Sequence, residues 1–307
     1  MALGPRFRRQ DLVAISIGPD EPSERIIARV KLPIFAGSGG WLAKPAPLQR
    51  PDTRVRFTRR AAAALSHHIL SHLDLGADAA NTYDRDQPDR PWTDALADAY
   101  QDAPGRLALQ VHALAYDDID AWLIDLTQSP PQALTDTAGR RLIVAMVDAA
   151  AAEREAFSAG WRHDEQRLAE IEVALGPPLQ RLRERLWEAQ GSPPPLTVLD
   201  CPGLGRHGRA TVAGGARLVA VSLNQPRDHV LCQILHEEVH PLTDPLVRAE
   251  WDGTDERDTR AGTPGASLHQ RLEAVAVGAT EAFLQARAPE LMTDFRRWQR
   301  RVYAAPT

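Results

Sequence analysis

Residues 233–240, QILHEEVH, place His236, Glu237 and His240 in the spacing H-E-x-x-H. On an α-helix, side chains four apart stand one above the other on the same face, so both imidazoles can meet a single ion. Glu237 lies about 100° round the helix, where its carboxylate serves an attacking water instead of the ion. A catalytic zinc ion takes three protein ligands and keeps a fourth position open, and a neighbouring carboxylate acts as general base. The chemistry in view is hydrolysis assisted by Zn2+, with His236 and His240 as metal ligands and Glu237 as the catalytic residue. Chance places the bare spacing in roughly one chain in fifty of this composition. The surroundings argue against accident, because Val230, Leu231, Ile234, Leu235 and Val239 make the rest of the segment apolar. Burying two histidines and a glutamate there without a cation would leave costly unpaired polar groups.

The stretch RLVAVSL, a short turn, the HEEVH segment and a glutamate on a later helical segment together resemble the zincin metallopeptidases. The similarity spans roughly residues 196–290, under a third of the chain, and its motif is specific to the superfamily and not to one member. The resemblance implies a zinc-dependent peptidase acting on a peptide or protein substrate. That substrate would lie antiparallel to a strand ahead of the motif helix, here the strand near 216–222. A third ligand is also implied. The metzincin branch would need a glycine at position 243 and a histidine at 246, where the chain has Thr243 and Leu246.

The glutamate branch remains, and it points to Glu273 in RLEAVAVG. A lone carboxylate among Leu272, Ala274 and Val275 needs a counter-charge, which a zinc ion supplies. Glu281 and Glu250 compete for the role. His269, four residues before Glu273, could bond to it or replace it. That branch commonly places an aspartate four positions after the ligand glutamate, where this chain has Val277. Asp244 in HPLTDP is the first alternative partner for a ligand, with capping of the turn after Pro241 as its other reading.

Other polar clusters carry less. SHHILSHLD spaces His68 and His72 four apart, but the position of a base is occupied by Ile69, and structural histidines are the favoured reading. Cys232 shares the motif face and reads as a buried core residue, since a fourth ligand would close the site. Tyr303, His207, His229 and Arg297 could each stabilise an oxyanion, and nothing in the sequence chooses among them. FRRWQRR reads as an amphipathic helix burying Phe295 and Trp298. GSGGW lacks the Lys-Ser/Thr that ends a phosphate-binding loop.

The elements that must position these residues divide into two grammars. DLVAISIG and RIIARVKLPIF read as a β-hairpin, followed from about residue 58 by helices, further ones falling near 92–102, 105–126, 131–158 and 160–188. Breaks are expected at Pro104–Gly105, Pro130–Pro131 and Gly176–Pro177–Pro178. GSPPPL (191–196) marks a boundary. Beyond it come the strands LTVLD and ARLVAVSL, a motif helix stopped by Pro241, a loop over 252–266 and two more helices. The fold class expected is α+β. Residues 1–192 form a mostly helical N-terminal region with a β-hairpin start, and 193–307 a zincin-like region with a mixed sheet and motif helix.

A chain of 307 residues with 43% apolar and 25% charged residues has material for a large core. A net charge of −5 provides no strong attraction to nucleic acid or to a membrane surface, and neither is expected as a partner. Lys31 and Lys44 are the only lysines, so arginine clusters reflect composition more than function. Two cysteines make no disulfide framework. The first residues lack an apolar signal-peptide core and LIVAMVDAAAA is too short to span a bilayer, which leads to the expectation of a cytoplasmic protein. The oligomeric state is left open.

Overall fold

The computed structural model describes residues 54–73, 88–161, 165–251, 256–260 and 262–303. The expected N-terminal hairpin lies outside the described residues. Four strands are present among them: β1 (Val55–Thr58), β2 (Leu196–Asp200), β3 (Arg209–Ala213) and β4 (Ala216–Val221). They form one mixed sheet in the order β1-β2-β4-β3, with β1, β2 and β4 parallel and β3 antiparallel to β4. The helices are α1 (Ala61–Leu70), α2 (Thr93–Asp102), α3 (Arg106–His112), α4 (Ile119–Gln128), α5 (Thr137–Gly160), α6 (Glu165–Leu186), α7 (Arg227–Ala249), α8 (Pro264–Arg287) and α9 (Met292–Tyr303).

The central strands are apolar at nearly every position because helices cover both faces of the sheet. Alternation of side chains along β4 sends Leu218 and Ala220, with Leu199 of β2, into a core shared with α1, α2, α4 and α5. Val219 and Val221 face the other way, with Leu196, Val198, Val55 and Phe57, onto α6 and the start of α7. The sheet thus takes strands from both sides of residue 193. The GSPPPL stretch is bonded in: the Pro195 carbonyl accepts from the Arg217 amide (2.8 Å) and the Pro194 carbonyl from Arg183 (2.6 Å). A third cluster, Cys232, Leu235, Val277, Phe283, Phe295 and Trp298, seals α7 against α8 and α9. Among the described residues no helix is long and apolar enough to cross a membrane.

Four local expectations are corrected. The helix expected over 105–126 is two, because Tyr116 is extended and Asp118 starts a new helix by accepting from the Ala121 amide (2.9 Å). α6 runs through Pro177 and Pro178. Pro178 cannot bond the Ala174 carbonyl, and Arg227 donates to it instead (3.1 Å). α7 likewise runs through Pro241 and Pro245 to Ala249, with Arg217 donating to the Glu237 carbonyl that Pro241 leaves free. Finally, β3 falls within the glycine-bearing stretch CPGLGRHGRATVAGG between the strands LTVLD and ARLVAVSL, where no strand is expected. Gly214 and Gly215, at φ of 58° and 77°, turn it into a two-residue hairpin closed by Ala213 and Ala216. β4 therefore has a bonded partner on each side, and a peptide cannot pair along 216–222. The free edge at this end of the described sheet belongs to β3.

Candidate metal centre

His236, His240 and Glu273 come together although 37 residues separate the first from the last. α7 supplies the two imidazoles, one helical turn apart, with ring centroids 4.8 Å apart and planes near perpendicular at 80°. α8 supplies the carboxylate. It begins at Pro264 behind Thr263, whose hydroxyl accepts from the Ala266 amide (3.2 Å), and packs on α7 through the small residues Ala276 and Ala279 against Val239. His236 Nε2 stands 3.2 Å from Glu273 Oε2 and 3.3 Å from His240 Nε2, while His240 Nε2 is 3.6 Å from Glu273 Oε1. Ligand atoms around a tetrahedral ion with bonds of about 2.0–2.1 Å are separated by about 3.3–3.4 Å. The two nitrogens have that spacing, and each has an oxygen of the Glu273 carboxylate within 3.2–3.6 Å, so the donor set fits a zinc ion.

Electrostatics agree with the spacing. Burial alone would depress the His240 imidazole, but the carboxylate of Glu273, the hydrogen bond to Asp244 and the charge of Glu237 overcome it and hold the ring up to about 9. Burial also opposes ionisation of Glu273, yet the charge of His240 and its contact with His236 keep the carboxyl well below the usual carboxylate range. The negative charges of Glu273, Asp244 and Glu237 all act on His240 and favour positive charge at the site. A divalent cation meets that demand.

Around this triad, His240 Nδ1 lies 2.9 Å from Asp244 Oδ1, a contact made possible because α7 continues through Pro241. The other candidates for third ligand go elsewhere. Glu281 accepts from Arg296 (3.1 Å) and Glu250 from Arg271 (2.8 Å). His269 Nε2 is 3.9 Å from Glu273 Oε1, beside the triad, and burial lowers its pKa, with Arg209 and His240 lowering it further against Glu273. Cys232 is fully buried among Leu235, Phe295 and Trp298, and burial pushes its thiol up to about 12. The Trp298 ring backs His236 at 5.3 Å between centroids, which gives the amphipathic α9 a supporting role.

Glu237, His240 and Glu273 line a cleft of about 420 Å³, with His236 buried behind them. One wall is β3, through Gly208, Arg209, Ala210 and Val212. The opposite wall is α3, through Leu107, Gln110 and Val111. Gln110 accepts a hydrogen bond from Arg209 and joins the two walls. The N-terminal helices thus contribute directly to the cleft. Of the proposed oxyanion donors, His229 is influenced by Arg301, Asp294 and Arg297 on α9, and Arg297 itself bonds Asp294 at an exposed site. His207, whose pKa burial and the charges of Arg209 and Arg206 lower well below normal, is the one on which the Glu273 charge bears.

Sequence reasoning missed Arg209, whose signal was the Gly-Gly turn that makes β3 a strand. It also missed Glu238. This fully buried carboxylate on the far side of α7 receives Arg183 Nε at 2.6 Å, with Arg217 Nε at 3.3 Å. No local pattern marks it. Its partners lie 55 and 21 residues away. The chain matches no protein-family model, no curated protein and no solved structure.

Proposed function

We propose that this chain is a zinc-dependent peptidase of the zincin type, glutamate branch, with His236, His240 and Glu273 holding the metal. The reading rests on one observation: two imidazole nitrogens 3.3 Å apart on one helix each stand 3.2–3.6 Å from an oxygen of the Glu273 carboxylate on another, with Glu237, His240 and Glu273 lining a solvent-open cleft. A bound zinc ion supplies Lewis acidity toward a carbonyl and lowers the pKa of a water. Glu237 takes a proton from the attacking water and returns it to the leaving amine. Asp244 fixes the tautomer and plane of His240, leaving Nε2 for the metal. His269 and Arg209 line the cleft where a developing oxyanion needs donors. An extended peptide lies along the free edge of β3, held by main-chain hydrogen bonds and walled by α3 on the other side.

The test compares wild type with Glu237→Ala on a mixture of unstructured peptides, with zinc content measured in parallel. Glu237 is no ligand, so the variant keeps its zinc and loses about 10²–10⁴-fold in activity. A zinc-loaded wild type inert toward peptides would instead favour a binding or regulatory role, or an amidase for small molecules, for which a cleft of about 420 Å³ is also large enough.

A further inference from the structure

We propose that His68, His72 and Glu153 form a second zinc site, between α1 and α5, distinct from the centre on α7. His68 near the end of α1 and His72 in the turn that follows it have the sequence spacing of the motif histidines, and what the local sequence lacked was a third donor. α5 provides it. Glu153 is buried, and the donor atoms of the three residues all lie within 4.8 Å of one another. The two rings sit 5.0 Å apart at 89°, close to the 4.8 Å and 80° of His236 and His240.

Each ligand is oriented by a partner of its own. His72 Nδ1 is 2.7 Å from the Pro88 carbonyl, so it carries the proton and leaves the lone pair on Nε2. That Nε2 is buried with no hydrogen-bond partner among the described residues, and His72 is 0% exposed. A buried nitrogen left without a partner is unfavourable, and coordination to a cation would satisfy it. Glu153 divides its two oxygens. Oε1 accepts from Trp92 Nε1 (3.3 Å) and faces Arg90 Nε (3.2 Å), while Oε2 points at His68 Nε2 from 3.5 Å, near the edge of a zinc tetrahedron. A carbonyl behind one histidine and polar groups behind the carboxylate are the supports that zinc ligands commonly have.

The site also has an entrance. A cavity of about 320 Å³ is lined by His68 and Glu153 together with Arg59, Arg90, Phe157 and Trp161. Arg59 is turned away over the Trp161 ring (4.0 Å) toward Asp200 (3.6 Å), leaving Arg90 as the cation beside the carboxylate. Arg90 opposes the charge of Glu153 here, whereas at the α7 centre the charges of Asp244 and Glu237 add to that of Glu273, so the second zinc is the weaker of the two. No base stands at Ile69, and the ion pins α1 to α5 without performing hydrolysis.

Full-length protein stripped with a chelator is titrated with Zn2+, and bound metal is counted after gel filtration. Wild type is expected to hold two ions per chain. His68→Gln, at a partly exposed position, and Glu153→Gln each hold one and keep peptidase activity. His240→Ala also holds one, and its combination with His68→Gln holds none. A single ion in wild type that His240→Ala removes and His68→Gln leaves overturns the second site. A single ion with the opposite dependence upholds the second site and overturns the reading of the α7 centre. If the variants do not fold, the wild type still decides. A second equivalent of Co2+ that develops the visible absorption of tetrahedral coordination supports the proposal, and a single equivalent whose paramagnetic shifts fall on His236 and His240 and spare His68 and His72 overturns it.

Discussion

Glu237 can act only where its carboxylate is held, and Gly208 sets the room it has. A Cβ at position 208 would stand 2.7 Å from Glu237 Oε1 and 3.2 Å from its Cγ. The end of a flexible side chain yields easily, so Gly208→Ala is expected to fold normally and bind zinc. Its carboxylate is displaced, however, and about 1 Å of misplacement costs on the order of 100-fold in rate. Thermal melting and kcat/KM measured side by side check this, and unchanged kcat/KM would release Gly208 from the role. Asp244 is tested through metal affinity. Asp244→Ala should weaken zinc about 10–100-fold by freeing the His240 ring, read by competition with a chromogenic chelator. At this scale the sequence was informative where chemistry is local. His236, Glu237 and His240 stand out because one helix presents them. Glu273 needed an argument about apolar company, and Asp244 a guess. Gly208 and Glu238 were silent, since a role made by contacts with distant parts of the chain leaves no mark in the neighbouring residues, and Arg209 was marked only by the Gly-Gly turn that follows it.

Prolines in two helices explain where the reading of elements failed. A proline withholds its amide from the carbonyl four residues earlier and commonly ends a helix. Here Arg227 serves the Ala174 carbonyl in α6 and Arg217 the Glu237 carbonyl in α7, and both helices continue. No rule of local propensity contains that compensation, because the arginines come from elsewhere in the chain. The strands LTVLD and ARLVAVSL were legible from their β-branched, apolar composition. β3 was hidden by the glycines around it, although Gly214–Gly215 was itself a hairpin signal. The arginine account makes a coupling prediction. Arg217→Ala strips the Glu237 carbonyl of its donor and Glu238 of one cation. In a Pro241→Ala background the new amide serves that carbonyl, so the same change should cost about 1 kcal/mol less. Urea unfolding of the four proteins in the cycle measures this. Equal losses in both backgrounds would falsify the compensation.

For the molecule as a whole, the sheet ties early and late parts of the chain together, and both cysteines are fully buried, Cys201 against one face of the sheet and Cys232 between α7, α8 and α9. Burial, helped by Asp200, raises the Cys201 thiol far above its ordinary value against the pull of Arg59. Burial takes Cys232 up to about 12. Thiols with raised pKa stay protonated in the fold while the unfolded chain ionises from about pH 9 upward. Stability is therefore whole below pH 9 and lost as pH rises toward 12, by up to about 1.4 kcal/mol per pH unit for each thiol. A Cys201→Ala, Cys232→Ala double variant should show a flatter decline in urea midpoint between pH 8 and 11, and an unaltered slope would assign the decline to other groups. The mixed α and β character and the helix-rich first half were visible in composition and periodicity. The joining of β1 to β2 was not, because nothing near either strand names a partner about 140 residues away.

The division of the triad between α7 and α8 has a consequence for the growing polypeptide. A nascent chain that has left the ribosome only as far as Ala249 carries both imidazoles but no Glu273. Capture of a tightly held ion must then wait until α8 has been translated and has docked. Hydrolytic capacity under the proposed function therefore cannot precede the synthesis and docking of α8, which spares the earlier part of the emerging chain from cutting itself.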